Sequence, residues 1–321
     1  MNELSVFAPV LSSVNWDNVV NFKIILLSIV LEALPFVLIS VLVSAFLHNF
    51  VSEDFIRKII PKNRLLSTVP AALLGLLFPV CDCGMVPIVR RLVMKGVPLH
   101  TAVSFMLAAP IINPVVAAAT AFAFRANIDI VFLRLGTAFF VACAAGLLCS
   151  VFFKSSELKK DAVSHSHSCG CCGHHHETED VFPRKLSLSS KLLRTIYDAG
   201  NEFFEMGKYL VVGAMMGALV QILLPRALLL SVGQHPLLSV GVMLLFAFVV
   251  SVCSAADAFI AASFITSFSP GSLVAFMVFG PMIDLKNILM LQHSFRLRFV
   301  LWLAAVVFSL TAGAAYLINH F

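Results

Sequence analysis

Long apolar runs alternate with short polar connections along most of the chain. A helix of about 20 apolar residues crosses a bilayer, and six runs reach that length: 22–47, 99–123, 129–153, 203–224, 272–292 and 297–318. Two further apolar regions, 66–95 and 238–268, are interrupted by polar residues. The pattern predicts an all-α, polytopic integral membrane protein with 8–10 membrane segments.

The two interrupted regions share an arrangement that indicates an internal repeat. The first breaks at residues 81–84 and precedes a Pro-x-x-Asn sequence at 110–113, and the second breaks at 253–257 and precedes a Pro-x-x-Asp sequence at 281–284. Broken helices in two related halves of opposite topology are typical of secondary transporters. Chance similarity between apolar segments is the alternative.

Basic residues predict the topology, because Lys and Arg concentrate in cytoplasmic loops. They cluster in residues 51–65, 90–95 and 154–202 and in the turn near 296. With this set inside, each half has about three crossings and a re-entrant hairpin, the second half is inverted, and both termini lie outside. Two full spans in place of each hairpin would give ten crossings and the same charge bias. The predicted domains are a first membrane repeat at 1–153, a cytoplasmic loop at 154–202 and a second repeat at 203–321.

Composition agrees with a membrane location and excludes other classes. Hydrophobic residues make up 60% of the chain and charged residues 12%, against about 25% charged in soluble domains. A soluble enzyme, a nucleic-acid-binding module and a disordered chain are therefore excluded. Arg134 and Lys208 lie just inside the ends of apolar runs, where we expect their side chains to snorkel towards water.

The first break carries candidate chemistry in Cys81-Asp82-Cys83-Gly84. Non-helical backbone at membrane depth requires surrounding protein or a water-filled cavity, and Gly84 permits a positive φ angle. Two thiols around a carboxylate suit Cu(I), Zn(II) or a trivalent arsenical. The alternative is a pair of buried cysteines that act as small apolar residues. Glu32 is a weaker candidate for the same pathway.

The second break and the Pro-broken helices supply further candidates. Cys253 and Asp257 lie at the second break, and Asn113, Asp284 and Lys286 follow the two prolines. If the breaks meet, Cys253 adds a third thiol to the site. Lys286 lies inside an apolar run and needs a partner, for which Asp284 or Asp257 is the natural choice.

The polar central segment is dense in metal ligands. Its candidates are His165, His167, Cys169, Cys171, Cys172, His174, His175 and His176. Imidazole and thiolate together suit Zn, Cu or Ni, but the irregular spacing does not match a closed zinc finger. We expect this segment to sense, store or deliver metal and to be separable from the membrane part. A linker of accidental composition is the alternative.

The stretches 78–87 and 108–114 together resemble a predicted-permease family that includes organoarsenical efflux permeases and proposed copper/zinc exporters. The resemblance covers nearly all of the membrane portion and implies a permease of the bacterial inner membrane. Carried over position by position, it marks Cys81, Cys83, Gly84, Pro110 and Asn113.

These features predict a permease, not an enzyme, that exports a soft metal or metalloid species. No cofactor is expected to be required, and Zn or Cu would be bound as substrate or regulator. Expected partners are this substrate and the bilayer, with a metallochaperone or a second copy of the chain, and no nucleic acid. A membrane-embedded metal sensor or metallochaperone partner without transport is the alternative. A thiol oxidoreductase that uses Cys81 and Cys83 is a weaker one.

Overall fold

The computed structural model describes residues 16–50, 63–77, 81–125, 127–153, 188–223 and 236–320. Within these ranges the regular structure is α-helical, apart from one 3-10 turn and without strands. The prediction of an all-α polytopic protein is confirmed.

The described residues form six helices in each half. The first half contains α1 (Trp16–Phe50), α2 (Arg64–Leu74), α3 (Asp82–Met94), α4 (Leu99–Ala108), α5 (Pro114–Ala123) and α6 (Asp129–Phe152). The second half contains α7 (Leu188–Leu223), α8 (Pro236–Val250), α9 (Ala256–Ala262), α10 (Pro270–Met282), α11 (Leu285–Ser294) and α12 (Leu297–His320). The order of long, short and broken helices is the same in both halves. Their opposite orientation in the membrane stays a prediction.

Among the described residues, five helical segments are long and apolar enough to cross a membrane. They are Val19–Phe46, Asp129–Phe152, Thr195–Ile222, Pro270–Ser294 and Leu297–His320. Protein buries 89% of the most apolar window of the fourth segment but only 22% of those of the first and the last. The fourth segment, built from α10 and α11, is therefore the centre of the protein, and α1 and α12 present apolar side chains outwards, as lipid contact requires.

Two apolar runs differ in the structure from their predicted form. The run 99–123 is two helices, because α4 ends at Ala108 and α5 starts at Pro114. The run 203–224 belongs to α7, which already begins at Leu188. Thr195, Ala199 and Glu202 recur at helical spacing and are buried, so a polar-looking segment continues the helix with one face against the protein.

The prediction that Arg134 snorkels to water is wrong. Its side chain is fully buried and donates hydrogen bonds to Thr120 Oγ1 (2.8 Å), the Ser254 carbonyl oxygen (2.8 Å) and Asp257 Oδ2 (2.9 Å). Ser254 lies in the break between α8 and α9 and Asp257 in the first turn of α9, so an arginine of the first half holds the broken region of the second. The sequence around Arg134 contains no sign of acceptors so distant in the chain.

We expect Arg134→Met to lower the midpoint of thermal unfolding of the purified protein in detergent markedly. Removing one partner of a buried ion pair costs about 3–5 kcal/mol, because the other charge stays buried and uncompensated. Arg125→Met is the matched control, since Arg125 is exposed and its guanidinium lies 3.8 Å from the centre of the Phe122 ring. Equal midpoints for the two variants would contradict a structural role of the Arg134–Asp257 pair.

Candidate substrate site

The first break places two thiols and a carboxylate at the start of α3. Cys81 is the N-cap residue in an extended conformation (φ −75°, ψ 164°), and Asp82 and Cys83 form the first turn. A carboxylate is favourable there, because the N-terminal end of a helix carries partial positive charge. One potential ligand atom from each of Cys81, Asp82 and Cys83 lies within 4.8 Å of the others. The first turn of α3 therefore presents a compact set of sulfur and oxygen ligands.

Gly84 does not adopt the positive φ angle that a glycine permits. It is buried inside the first turn of α3, and its amide donates to the Cys81 carbonyl oxygen at 3.2 Å. Among the described glycines, only Gly96 has a positive φ, of 90°. The first break therefore contains no left-handed turn at Gly84, which is an ordinary buried residue of the helix.

The second break comprises residues 251–255, between α8 and α9. Ser251 has φ 50°, a left-handed conformation that is uncommon for residues other than glycine. Its hydroxyl donates to the Phe248 carbonyl oxygen (3.2 Å) and accepts from the Leu285 amide (3.2 Å). These bonds attach the second break to the start of α11. The thiol of Cys253 donates to a carboxylate oxygen of Glu32 on α1.

The two breaks line one small cavity. Its volume is about 30 Å³, and its polar lining residues are Glu32, Cys81, Asp82, Cys83, Cys253 and Lys286, together with Ser251. A space of this size holds little more than a water molecule or a single ion. All three thiols are free, so three sulfur atoms and two carboxyl groups surround the cavity.

Lys286 connects the cavity to a buried charge network. Its Nζ lies 3.3 Å from Asp82 Oδ2 and 3.2 Å from Asp284 Oδ2, and the three side chains are at most 3% exposed. Of the two partners expected from the sequence, Asp284 is correct and Asp257 is wrong, because Asp257 pairs with Arg134. The contact with Asp82 was not expected. It joins α3 of the first half to α11 of the second.

Asn113 and Asp284, the last residues of the two Pro-x-x-Asn/Asp sequences, both act as helix N-caps. Each is the N-cap of a helix that starts just after a proline-containing segment. Asn113 caps α5 and accepts from the Val116 amide (2.9 Å), and Asp284 caps α11 and accepts from the Asn287 amide (2.7 Å). Asn and Asp are preferred caps, because their side-chain oxygens satisfy amides that have no partner within the helix. Of the residues predicted to bind substrate, four do not line the cavity: Gly84, Asn113, Asp257 and Asp284.

The predicted ligands in the central segment, His165 to His176, lie outside the described residues. Their part in metal binding stays a prediction.

A second polar network ties the helices of the site to α7. Glu202 of α7 accepts from Ser44 (3.1 Å) and pairs with Arg91 (3.4 Å), while Glu205 pairs with Arg90 (3.6 Å) and with His293 (2.6 Å). Sequence reasoning missed Glu202, Glu205 and His293 and counted the two arginines as loop charges. The helical spacing of Glu202 with Thr195 and Ala199 was the signal that could have placed it on a buried face.

Taken together, the helices and the cavity at their breaks define a multi-pass helical membrane protein with a polar centre. Residues 18–320 match the family described as "Predicted permease", and the chain belongs to that family. It is 45% identical to the UPF0718 protein YcgR of Bacillus subtilis over 92% of this chain and 96% of that protein. It is 37% identical, over 86% of this chain and 88% of the relative, to a Streptococcus mutans protein whose name describes a subunit of a two-component membrane permease complex. No solved structure gives a significant match.

We expect Gly213→Ala to destabilise the site. A Cβ at Gly213 of α7 would lie 3.0 Å from Lys286 Cα and 3.2 Å from its Cβ, so α7 and α11 would have to separate. Overpacking of this kind costs about 1–3 kcal/mol. The measurement is the midpoint of thermal unfolding in detergent.

Gly207→Ala, on the same helix, is the matched control. A Cβ there meets nothing within 4 Å, and alanine is favoured over glycine in a helix by up to about 1 kcal/mol. The control should therefore unfold at the same temperature as the wild type or slightly higher. If both variants were equally stable, the close contact between α7 and Lys286 would be refuted.

Proposed function

We propose that the protein is a permease of the bacterial inner membrane that exports a soft metal or metalloid species through the cavity at the two helix breaks. The observation that carries the proposal is the convergence of Cys81, Cys83 and Cys253 on one small cavity. These thiols come from two halves of the chain that are far apart in sequence. Membership of the permease family supports transport in general and leaves the substrate to the chemistry of the cavity.

The donor set favours soft or borderline substrates. Thiolates bind Cu(I), Zn(II) and trivalent arsenic well, whereas Mg²⁺ and Ca²⁺ prefer sites made of oxygen alone. Glu32 and Asp82 add negative charge, which compensates a bound cation in a region of low dielectric. The cavity volume of about 30 Å³ fits a single ion or a compact species better than a large organic molecule.

The surroundings of the membrane part suggest how substrate arrives. Under the positive-inside rule the polar segment between α6 and α7 is cytoplasmic and both termini are outside. The His and Cys residues of that segment then collect metal in the cytoplasm and deliver it to the cavity. By analogy with the Streptococcus mutans relative, a second protein subunit completes the permease.

The ligand-dense segment His165 to His176 favours a second candidate function. In that case the protein is a membrane-embedded metal sensor, or the partner of a metallochaperone, and does not transport. Saturable binding of metal without any flux would identify this alternative.

The test is uptake into everted membrane vesicles from cells that produce the protein, with arsenite, a methylated arsenical, Zn(II) and Cu(I) as substrates. We expect Cys81→Ser with Cys83→Ser to abolish uptake of the transported species. Changing groups that only orient a ligand already costs about 10–100-fold in metal affinity, and here two ligand atoms are lost.

Cys143→Ser with Cys149→Ser is the matched control, because these two cysteines lie on α6 and do not line the cavity. The control should transport at the wild-type rate. Undiminished uptake by the Cys81 and Cys83 double variant would refute the proposed site. Absence of uptake in the wild type with all four substrates would refute metal or metalloid transport.

A further inference from the structure

The cavity already contains a positive charge that belongs to the protein. Lys286 lines it beside the three thiols, and its ammonium group contacts carboxylates on two sides at nearly equal distances, 3.3 Å to Asp82 and 3.2 Å to Asp284. Transport of a cation through a site with a resident ammonium group requires that the two charges avoid each other. Like charges repel strongly in a buried environment of low dielectric.

Asp82 is the group for which substrate and lysine would compete. It lies between Cys81 and Cys83, within the compact set of ligand atoms, and it is also the partner of Lys286. Its second oxygen, Oδ1, is buried and accepts no hydrogen bond from the described residues. A cation held by the two thiols and this free oxygen would lie beside the ammonium group on the same carboxylate, and repulsion between the two positive charges would drive the ammonium group away.

Asp284 offers the displaced ammonium group a second position. This carboxylate is held in place as the N-cap of α11, only two residues before Lys286, so the contact within α11 persists when the contact with Asp82 is lost. The lysine side chain has a flexible four-carbon stem. Gly213 keeps α7 close against the base of that stem, which leaves movement to its distal end.

We propose that Lys286 is an internal substitute for the transported cation. While the cavity is empty, its ammonium group bridges Asp82 and Asp284, and when a cation binds at Cys81, Asp82 and Cys83, it withdraws to Asp284. The inference rests on the proposed function. Because Asp82 belongs to the first half and Lys286 to the second, binding removes one ionic link between the halves. Occupancy of the cavity is thereby coupled to the freedom of the halves to move, as alternating access requires.

The test is the dissociation constant of Cd(II), a soft divalent probe, for the full-length purified protein in lipid nanodiscs. The Cys81→Ser, Cys83→Ser variant reports binding to the rest of the chain and is subtracted. Lys286→Met removes the competitor, so we expect Cd(II) to bind about tenfold more tightly or better, and tenfold corresponds to about 1.4 kcal/mol.

Asp284→Asn should have the opposite effect. It removes the charge to which the ammonium group withdraws, so Lys286 stays on Asp82 and Cd(II) should bind about tenfold more weakly. Asparagine is also a good N-cap, which preserves the start of α11. Lys208→Met is the matched control, because Lys208 is an exposed lysine of α7, and it should bind as the wild type does. Binding of phenylarsine oxide, a neutral thiol reagent, should not change in Lys286→Met.

The opposite changes in Cd(II) affinity expected for Lys286→Met and Asp284→Asn distinguish this inference from a purely structural role of Lys286. Weaker binding in both variants would overturn it, since a merely structural Lys286 would damage the cavity in either case. Unchanged binding in both would overturn it as well, while the loss of binding in the double cysteine variant would still support the proposed site. No Cd(II) binding to the cavity of the wild type would refute the proposed function itself, and the inference with it.

Discussion

The structure depends on one constraint: polar groups exposed by a broken helix inside a membrane must be satisfied from within the protein. Here each half satisfies the break of the other. Lys286 of the second half pairs with Asp82 at the start of α3, beside the first break. Arg134 of the first half bonds to the Ser254 carbonyl in the second break and to Asp257 beside it. Neither break is stable on its own, because each would leave a buried charge uncompensated. The two breaks must therefore lie close together in the folded protein for these ion pairs to form.

This mutual dependence explains the position of the cavity and its chemistry. The side chains of Asn113 and Asp284 cap the N-terminal ends of α5 and α11. These caps fix the directions in which the two helices leave the centre. Cys81 and Cys253 lie where regular helical hydrogen bonding stops, and Cys83 lies in the first turn of α3. In the proposed function, the sulfur and carboxylate ligands of this cavity select soft ions. The Lys286–Asp82 ion pair beside the cavity links the two halves. In the proposed mechanism, a bound cation breaks this link.

Much of the architecture could be predicted from the sequence, because the determinants are local. Apolar runs fix helices, and Pro110 marks the break between α4 and α5. The long-range partners could not be predicted. The sequence near Arg134 gives no indication that Asp257 is its partner, and the pairing of Lys286 with Asp82 depends on how α3 packs against α11. The start of α7 was hidden because its buried face includes Glu202, a charge that is tolerated only with distant partners.

The most direct test of the account is the number of sulfur atoms around a bound soft ion. X-ray absorption of Cd(II) in the full-length protein, with the loop residues Cys169, Cys171 and Cys172 changed to serine, measures it. We expect three sulfur neighbours, from Cys81, Cys83 and Cys253, and the loss of one in Cys253→Ser. A sulfur count that does not change in Cys253→Ser would contradict a single site built from both breaks.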